Sequence, residues 1–371
     1  GVSAQNTEAA KPHDITIKFT KYPQGLANYY SGYYYFNGKD VYNMRNFLMY
    51  TGNAIKALGI NPSGASYALL DNKKDKNTID IYSLTTKDLR LGKVGTSKLF
   101  KPVAFCYSPD AKFLYVLGSD AKIHAFTTRK TQEVKNFTTN ATATRLDASP
   151  NGFYLVASGK RSIQVINLEN QSTRANIKLE SDLKDIAFSN NNKMMAVLTA
   201  DGVCDVYDTK TFTVSKHYDA MGIAEKCYFH PENKYLAIVT GNQRIAFINL
   251  LNEADRQYVD TKEGDVKYIN FCKNVKNDIY LTYNTNNGLV FSYVGFLSQR
   301  ANGRMDEANG RRISRRLQRP RKRGIENTAD ETLRNTDSHQ HGRQHAHHIG
   351  GEAWQLQCRD EHVDPRLQQH A

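Results

Sequence analysis

The chain predicts an all-β fold, a β-propeller of four-stranded blades, between about Asp14 and Leu297. Three observations carry this expectation. A strand–turn–strand unit recurs roughly every 41 residues, a period typical of propeller blades. Tyrosine is heavily used, with 22 copies against one tryptophan, and Tyr, Phe, Val, Ile and Thr suit a pleated sheet. The units are punctuated by Pro, Asn, Asp and Gly at matching places, where turn chemistry requires them.

Each unit has one grammar. A first, alternating strand ends in a turn: Asn61-Pro62-Ser63-Gly64, Ser108-Pro109-Asp110, Ser149-Pro150-Asn151-Gly152, Ser189-Asn190-Asn191 and His230-Pro231-Glu232. Proline presets φ there, and Asp, Asn and Gly accommodate the rest. A second, nearly all-apolar strand follows: FLYVLGS, FYLVASG, MMAVLTA, YLAIVTG. Such a strand is expected to lie between two neighbouring blades. A polar turn leads to a third strand (IDIYS, IHAFT, IQVIN, CDVYD, IAFIN), and a looser fourth segment such as EVKNFTT or TVSKHYD closes the unit. One blade cannot bury both faces alone, but a ring of them can.

Six clear units lie between about Gly52 and Leu297, and the stretch from NYYSGYYYFNG to VYNMRNFLMY supplies one more. Seven blades are therefore predicted, with six and eight also compatible with the count. Asp14–Phe19 (DITIKF) is predicted to complete the last blade and close the ring.

Five cysteines occur, with no CxxC pair. Cys106, Cys227 and Cys272 fall at or next to one repeat position and read as small buried apolar residues, neither disulfides nor metal ligands. No apolar run approaches the roughly 20 residues that span a bilayer, so no membrane span is expected. Val2-Ser3-Ala4 has the small-x-small pattern that ends a signal peptide. Residues 1–13 are read on that basis as a signal remnant and N-terminal arm, with export to the periplasm or outer membrane. If the tripeptide is an ordinary terminus, the location is cytoplasmic.

The composition changes at Ser298. Lysine dominates before it, whereas residues 299–371 contain one lysine, an arginine run (RRISRRLQRPRKR) and most of the histidines. Three readings apply. The arginines could neutralise nucleic-acid phosphates. His341, His345 and His348 could share one helical face as metal ligands. The segment could also be a frameshifted reading: one nucleotide later, compatible codons spell acidic, amphipathic sequence. The preferred domain division is thus 14–298 for the propeller and 299–371 for a disordered or frameshifted tail. On that division the tail, with 14 Lys+Arg against 10 Asp+Glu, contributes +4 of the net charge of +13, and the propeller alone is still basic.

No Ser-His-Asp arrangement, phosphate-binding glycine loop, HExxH or CxxC signature is present. No catalytic residue, metal ligand or cofactor is assigned. His230 stands where other units carry Ser or Asn and reads as a turn residue. The most unusual local feature is the aromatic cluster Tyr29, Tyr30, Tyr33, Tyr34, Tyr35 and Phe36. In a strand, Tyr33 and Tyr35 share one face and Tyr34 takes the other. Tyr29, Tyr30, Tyr33, Tyr34 and Tyr35 are candidates for an interaction surface; the alternative is that they fill a blade interface.

The repeat resembles the WD-repeat and YVTN-type propeller superfamily over most of residues 14–297, in particular divergent exported propellers of Bacteroidetes. Tyr207-Asp208 is the nearest approach to the Trp-Asp dipeptide, and the Gly-His element is absent, so the hydrogen-bond network of that family does not carry over. The resemblance implies a non-enzymatic interaction scaffold of the cell envelope, binding a protein or envelope component. A lactonase-type propeller hydrolase and a nucleic-acid binder using the basic tail are the alternatives.

Overall fold

A computed structural model describes residues 14–297, apart from 30–31, 75, 95–99, 141, 220, 242, 262–263 and 275, together with residues 354–355. The sequence-based readings of residues 1–13, and of the arginine and histidine runs of the tail, lie outside the described residues. The fold is a seven-bladed β-propeller. Six antiparallel sheets have four consecutive strands each, in the order first to fourth. Blades 1 to 6 begin at Gly25, Ile55, Pro102, Arg145, Leu183 and Ala224. Blade 7 takes three strands from Ile269–Lys273, Ile279–Asn284 and Gly288–Tyr293, and its fourth from the other end of the chain, Ile15–Lys18. The expected ring closure is therefore observed, with Ile15 opposite Phe291 and Lys18 opposite Gly288. A two-residue strand, Trp354–Gln355, pairs in parallel with Cys272–Lys273 on the first strand of blade 7. Among the described residues no helix is long and apolar enough to cross a membrane.

First strands of neighbouring blades touch one another at the boundaries of blades 1 and 2, 2 and 3, 3 and 4, 5 and 6, and 6 and 7. Seven apolar clusters hold the ring, one at each boundary between neighbouring blades. The second strand explains how. In blade 4, Leu155 and Ala157 face blade 3, while Val156 faces blade 5. Alternation along a strand thus becomes packing against two different neighbours, and the strand must be apolar throughout. The cysteines follow the same rule. Cys204, Cys227 and Cys272 are buried, Cys106 is half-buried, and all four are free thiols.

The turn after each first strand repeats closely. In blades 2 to 7 its fourth residue is left-handed: Gly64, Ala111, Gly152, Asn192, Asn233 and Asn277, with φ between 56° and 72°. Each donates its N–H to the carbonyl that opens the turn. In blades 3 to 5 the opening serine adds two bonds. Ser108, Ser149 and Ser189 donate to the side chains of Asp110, Asn151 and Asn191 at 2.6, 2.7 and 2.7 Å. They also accept the N–H of Phe113, Tyr154 and Met194.

Of the tyrosines considered as an interaction surface, Tyr33, Tyr34 and Tyr35 fill blade boundaries instead. Tyr33, Tyr34 and Tyr35 are buried, Tyr29 is half-buried, and Tyr30 lies outside the described residues. The predicted split of faces is observed: Tyr33 and Tyr35 join the blade 7 boundary, Tyr34 and Phe36 the blade 2 boundary. Tyr33 meets the rings of Tyr268 and Phe291 edge-on at 5.6 and 6.0 Å. Tyr35 stacks on Phe19 at 4.1 Å. Large rings are needed because this boundary must hold the two ends of the chain together, and each ring buries a large apolar area.

Candidate functional site: the inner strands and the turn face

The first strands carry a charged chain that runs around three blades. Arg145 opens the first strand of blade 4, and Asp147 follows two residues later on the same face. Their contact is bidentate: Nε to Oδ2 at 2.8 Å and Nη2 to Oδ1 at 3.1 Å. Arg145 also reaches blade 5, where Nη1 lies 2.9 Å from Asp185 Oδ1 and Nη2 donates to the Ile186 carbonyl at 3.3 Å. Asp185 is buried. Its other oxygen accepts the Cys227 N–H of blade 6 at 3.0 Å.

Burial opposes the charge of Arg145, but the carboxylates of Asp147 and Asp185 outweigh it and hold the guanidinium more firmly protonated than usual. Around this chain the other inner groups are held neutral. Burial pushes the phenols of Tyr107 and Tyr228 above their ordinary range, and Asp185 adds to the effect at Tyr228. The Cys106 thiol is raised by burial and by Asp147. The Cys227 thiol is raised by its hydrogen bond with Cys204 and by burial. Thiols in this state are poor nucleophiles. Chemically, the arrangement is a structural clasp: the cation and both carboxylates are occupied by one another and by backbone groups.

The histidines are also placed. His124 stacks on Phe100 at 3.8 Å, with its ring nitrogens 2.7 Å from Glu133 and 3.0 Å from Asp120. His217 Nδ1 lies 2.6 Å from Asp205, which raises its pKa. Asp205 and His124 occupy the same third-strand position, as do Asp80, paired with Lys73 at 2.6 Å, and Gln164. Each has its own local partners. His230 is a turn residue, as predicted, and it is buried there. Its Nδ1 accepts the Glu232 N–H at 3.2 Å, while Nε2 has no partner. Among the described residues no group of three His, Cys, Asp or Glu side chains is arranged to hold a metal ion.

The turns after first and third strands emerge on one end of the ring, because those two strands run in the same direction. On that end Phe47, Leu89, Phe153 and Leu251 are exposed, from 46% at Leu89 to 86% at Leu251. Among the described residues, Ile223 is the one large apolar side chain exposed in the loops of the opposite end. No protein-family model matches the chain, and no curated protein does.

The sequence reading did not single out Arg145, Asp147 or Asp185. A signal existed: before the tail arginine is scarce beside lysine, and Arg145 and Asp147 stand two residues apart in one short strand. Their pairing across a blade boundary is not visible in one unit. The exposed apolar loop residues give no periodic signal at all.

Proposed function

We propose that the chain is a non-enzymatic interaction scaffold whose partner sits on the end of the ring bearing the first-to-second and third-to-fourth strand turns. The observation that supports this reading is the set of exposed apolar side chains on that end, Phe47, Leu89, Phe153 and Leu251. Isolated exposed apolar residues are ordinary, but four on one end of a rigid ring form anchors that a partner can bury. Arg145, Asp147 and Asp185, the most reactive-looking groups near the axis, are engaged in joining blades. The similarity of the repeat to WD-repeat and YVTN-type propellers agrees with a scaffold role. A cell-envelope location is part of the proposal and rests on the Val2-Ser3-Ala4 tripeptide.

A photo-crosslinking residue placed at Phe153 or, on the opposite end, at Ile223 tests the reading in cells. Adducts to a discrete partner from position 153 and not from 223 are expected. Equal labelling from both ends, no adduct from either, or robust lactone hydrolysis by the purified chain overturns it.

A further inference from the structure

The outer rim distinguishes one blade from the rest. A fourth strand has an open edge of backbone N–H and C=O groups, which sheet proteins guard with bulges, lysines or short length. In blades 1 to 5 the pairing of third and fourth strands breaks register at a bulge. The outer strands of blades 2 to 5 also carry Lys93, Lys135, Lys178 and Lys216. The outer strand of blade 7 has four residues and ends in Lys18. Blade 6 has neither a bulge nor a lysine. Its outer strand, Arg256–Asp260, runs in unbroken register from Ile248 opposite Arg256 to Arg244 opposite Asp260. It has no lysine, and Tyr258 at its centre is 51% exposed. Among the described residues no strand pairs with its outer edge.

The sequence of this edge, Arg256-Gln257-Tyr258-Val259-Asp260, is complementary to itself. An antiparallel pair of two copies centred on Tyr258 sets Arg256 of each opposite Asp260 of the other, Gln257 opposite Val259, and the two tyrosines face to face. Arg256, Tyr258 and Asp260 share one face of the strand. Asp260 is paired with Arg244 through Oδ1 at 3.0 Å, yet its side chain is 79% exposed and within reach of a second cation. Arg244 also lies over the Tyr258 ring at 5.3 Å, which fixes the ring's position on that face. Opposite charges and aromatic pairs directly across an antiparallel ladder are each stabilising.

We infer that two copies of this chain associate through the outer strand of blade 6, forming a two-fold symmetric, eight-stranded sheet across the dimer. Such an interface is isologous and closes on itself, so it produces dimers and not filaments. A pair of five-residue edges is small beside the roughly 1,600 Å² of a standard interface. The association is therefore weak and concentration-dependent. It is independent of the end-face partner proposed above.

Sedimentation velocity of the full chain over a concentration series reads the result. The wild-type chain is expected to move from monomer to dimer as concentration rises. Tyr258→Lys sets like charges directly opposite each other and is expected to weaken the dimer by about tenfold or more. Asp260→Arg alone, which sets Arg256 opposite an arginine, is expected to do the same. The double variant Arg256→Asp with Asp260→Arg restores opposite pairing and is expected to restore the dimer. Circular dichroism identifies any variant that fails to fold, and the double variant separates charge pairing from folding. A chain that stays monomeric throughout overturns the inference and leaves the edge to a strand from another protein. So does a dimer indifferent to Tyr258→Lys, or a double variant that behaves no better than Asp260→Arg.

Discussion

Arg145 and Asp185 meet across the boundary between blades 4 and 5, Nη1 to Oδ1, at 2.9 Å. Several bonds of this region join residues 41 positions apart: Arg145 to Ile186, Asn151 to Asn192, Lys184 to Glu225 and Asn190 to Pro231. The repeat length is thus also the step by which one blade grips the next.

Removal of Arg145 tests this clasp. Arg145→Leu leaves two carboxylates near one another without their shared cation, and an uncompensated buried charge costs about 3–5 kcal/mol. Urea unfolding should show a lower midpoint for Arg145→Leu. The loss should be smaller for Arg145→Leu combined with Asp147→Asn and Asp185→Asn, where no carboxylate is left unpaired.

The left-handed turn position gives a stabilising variant. Of the six equivalents, Ala111 alone is neither Gly nor Asn, and its φ is 64°. A left-handed residue with a Cβ costs about 1–2 kcal/mol, so Ala111→Gly should raise the stability by about 1 kcal/mol after the glycine's added chain entropy is subtracted. Gly152→Ala, at φ 72°, should have the opposite sign. Thermal melts of the two variants measured side by side check the pair.

His230 predicts an acid sensitivity. Burial, followed by the nearby charges of Lys273 and Lys234, lowers its pKa from the ordinary 6.5 to about 4. Protonation would also remove the acceptor used by the Glu232 N–H. The native state therefore stays neutral while the unfolded chain takes up a proton below 6.5. Stability from this group is complete above pH 6.5 and is lost as pH falls towards 4, by at most about 3 kcal/mol. His230→Ser, which copies the turns of blades 3 to 5, should flatten this part of the profile. Unfolding free energies at pH 7 and pH 4.5 for both chains measure it.

Ring closure is the fourth test. Phe19 is buried against Tyr35, and Asn46 clamps the same segment. Its Oδ1 accepts from Thr20 N–H and the Tyr35 hydroxyl, and its Nδ2 donates to the Lys18 carbonyl. Phe19→Ala should cost about 3–5 kcal/mol. Hydrogen exchange should then quicken first in Gly288–Tyr293, the strand paired with Ile15–Lys18. Uniform quickening around all seven blades would show that closure is not the weak point.

Much of the fold was legible in the sequence. The period, the apolar second strands and the Ser-Pro-Asn-Gly turns predicted blades, and DITIKF predicted the closing strand, because these features arise from local chemistry repeated along the chain. The turn role of His230 was legible for the same reason: the flanking units show what stands at its position. The faces of the YYYF run were also legible, since strand alternation is a local property.

Exposure was not legible. Tyr33, Tyr34 and Tyr35 could serve equally as a surface or a boundary until the neighbouring blades were in place, and those neighbours lie at the far end of the chain and in the following unit. The Arg145–Asp147–Asp185 clasp, the apolar turn face and the open edge at Arg256–Asp260 share this origin. Sequence alone determined the repeated unit, its turns and its apolar strands, because each depends on residues within one blade. Tertiary structure decided which side chains meet and which remain open, because in a ring every such contact depends on the geometry between blades, which no single unit contains.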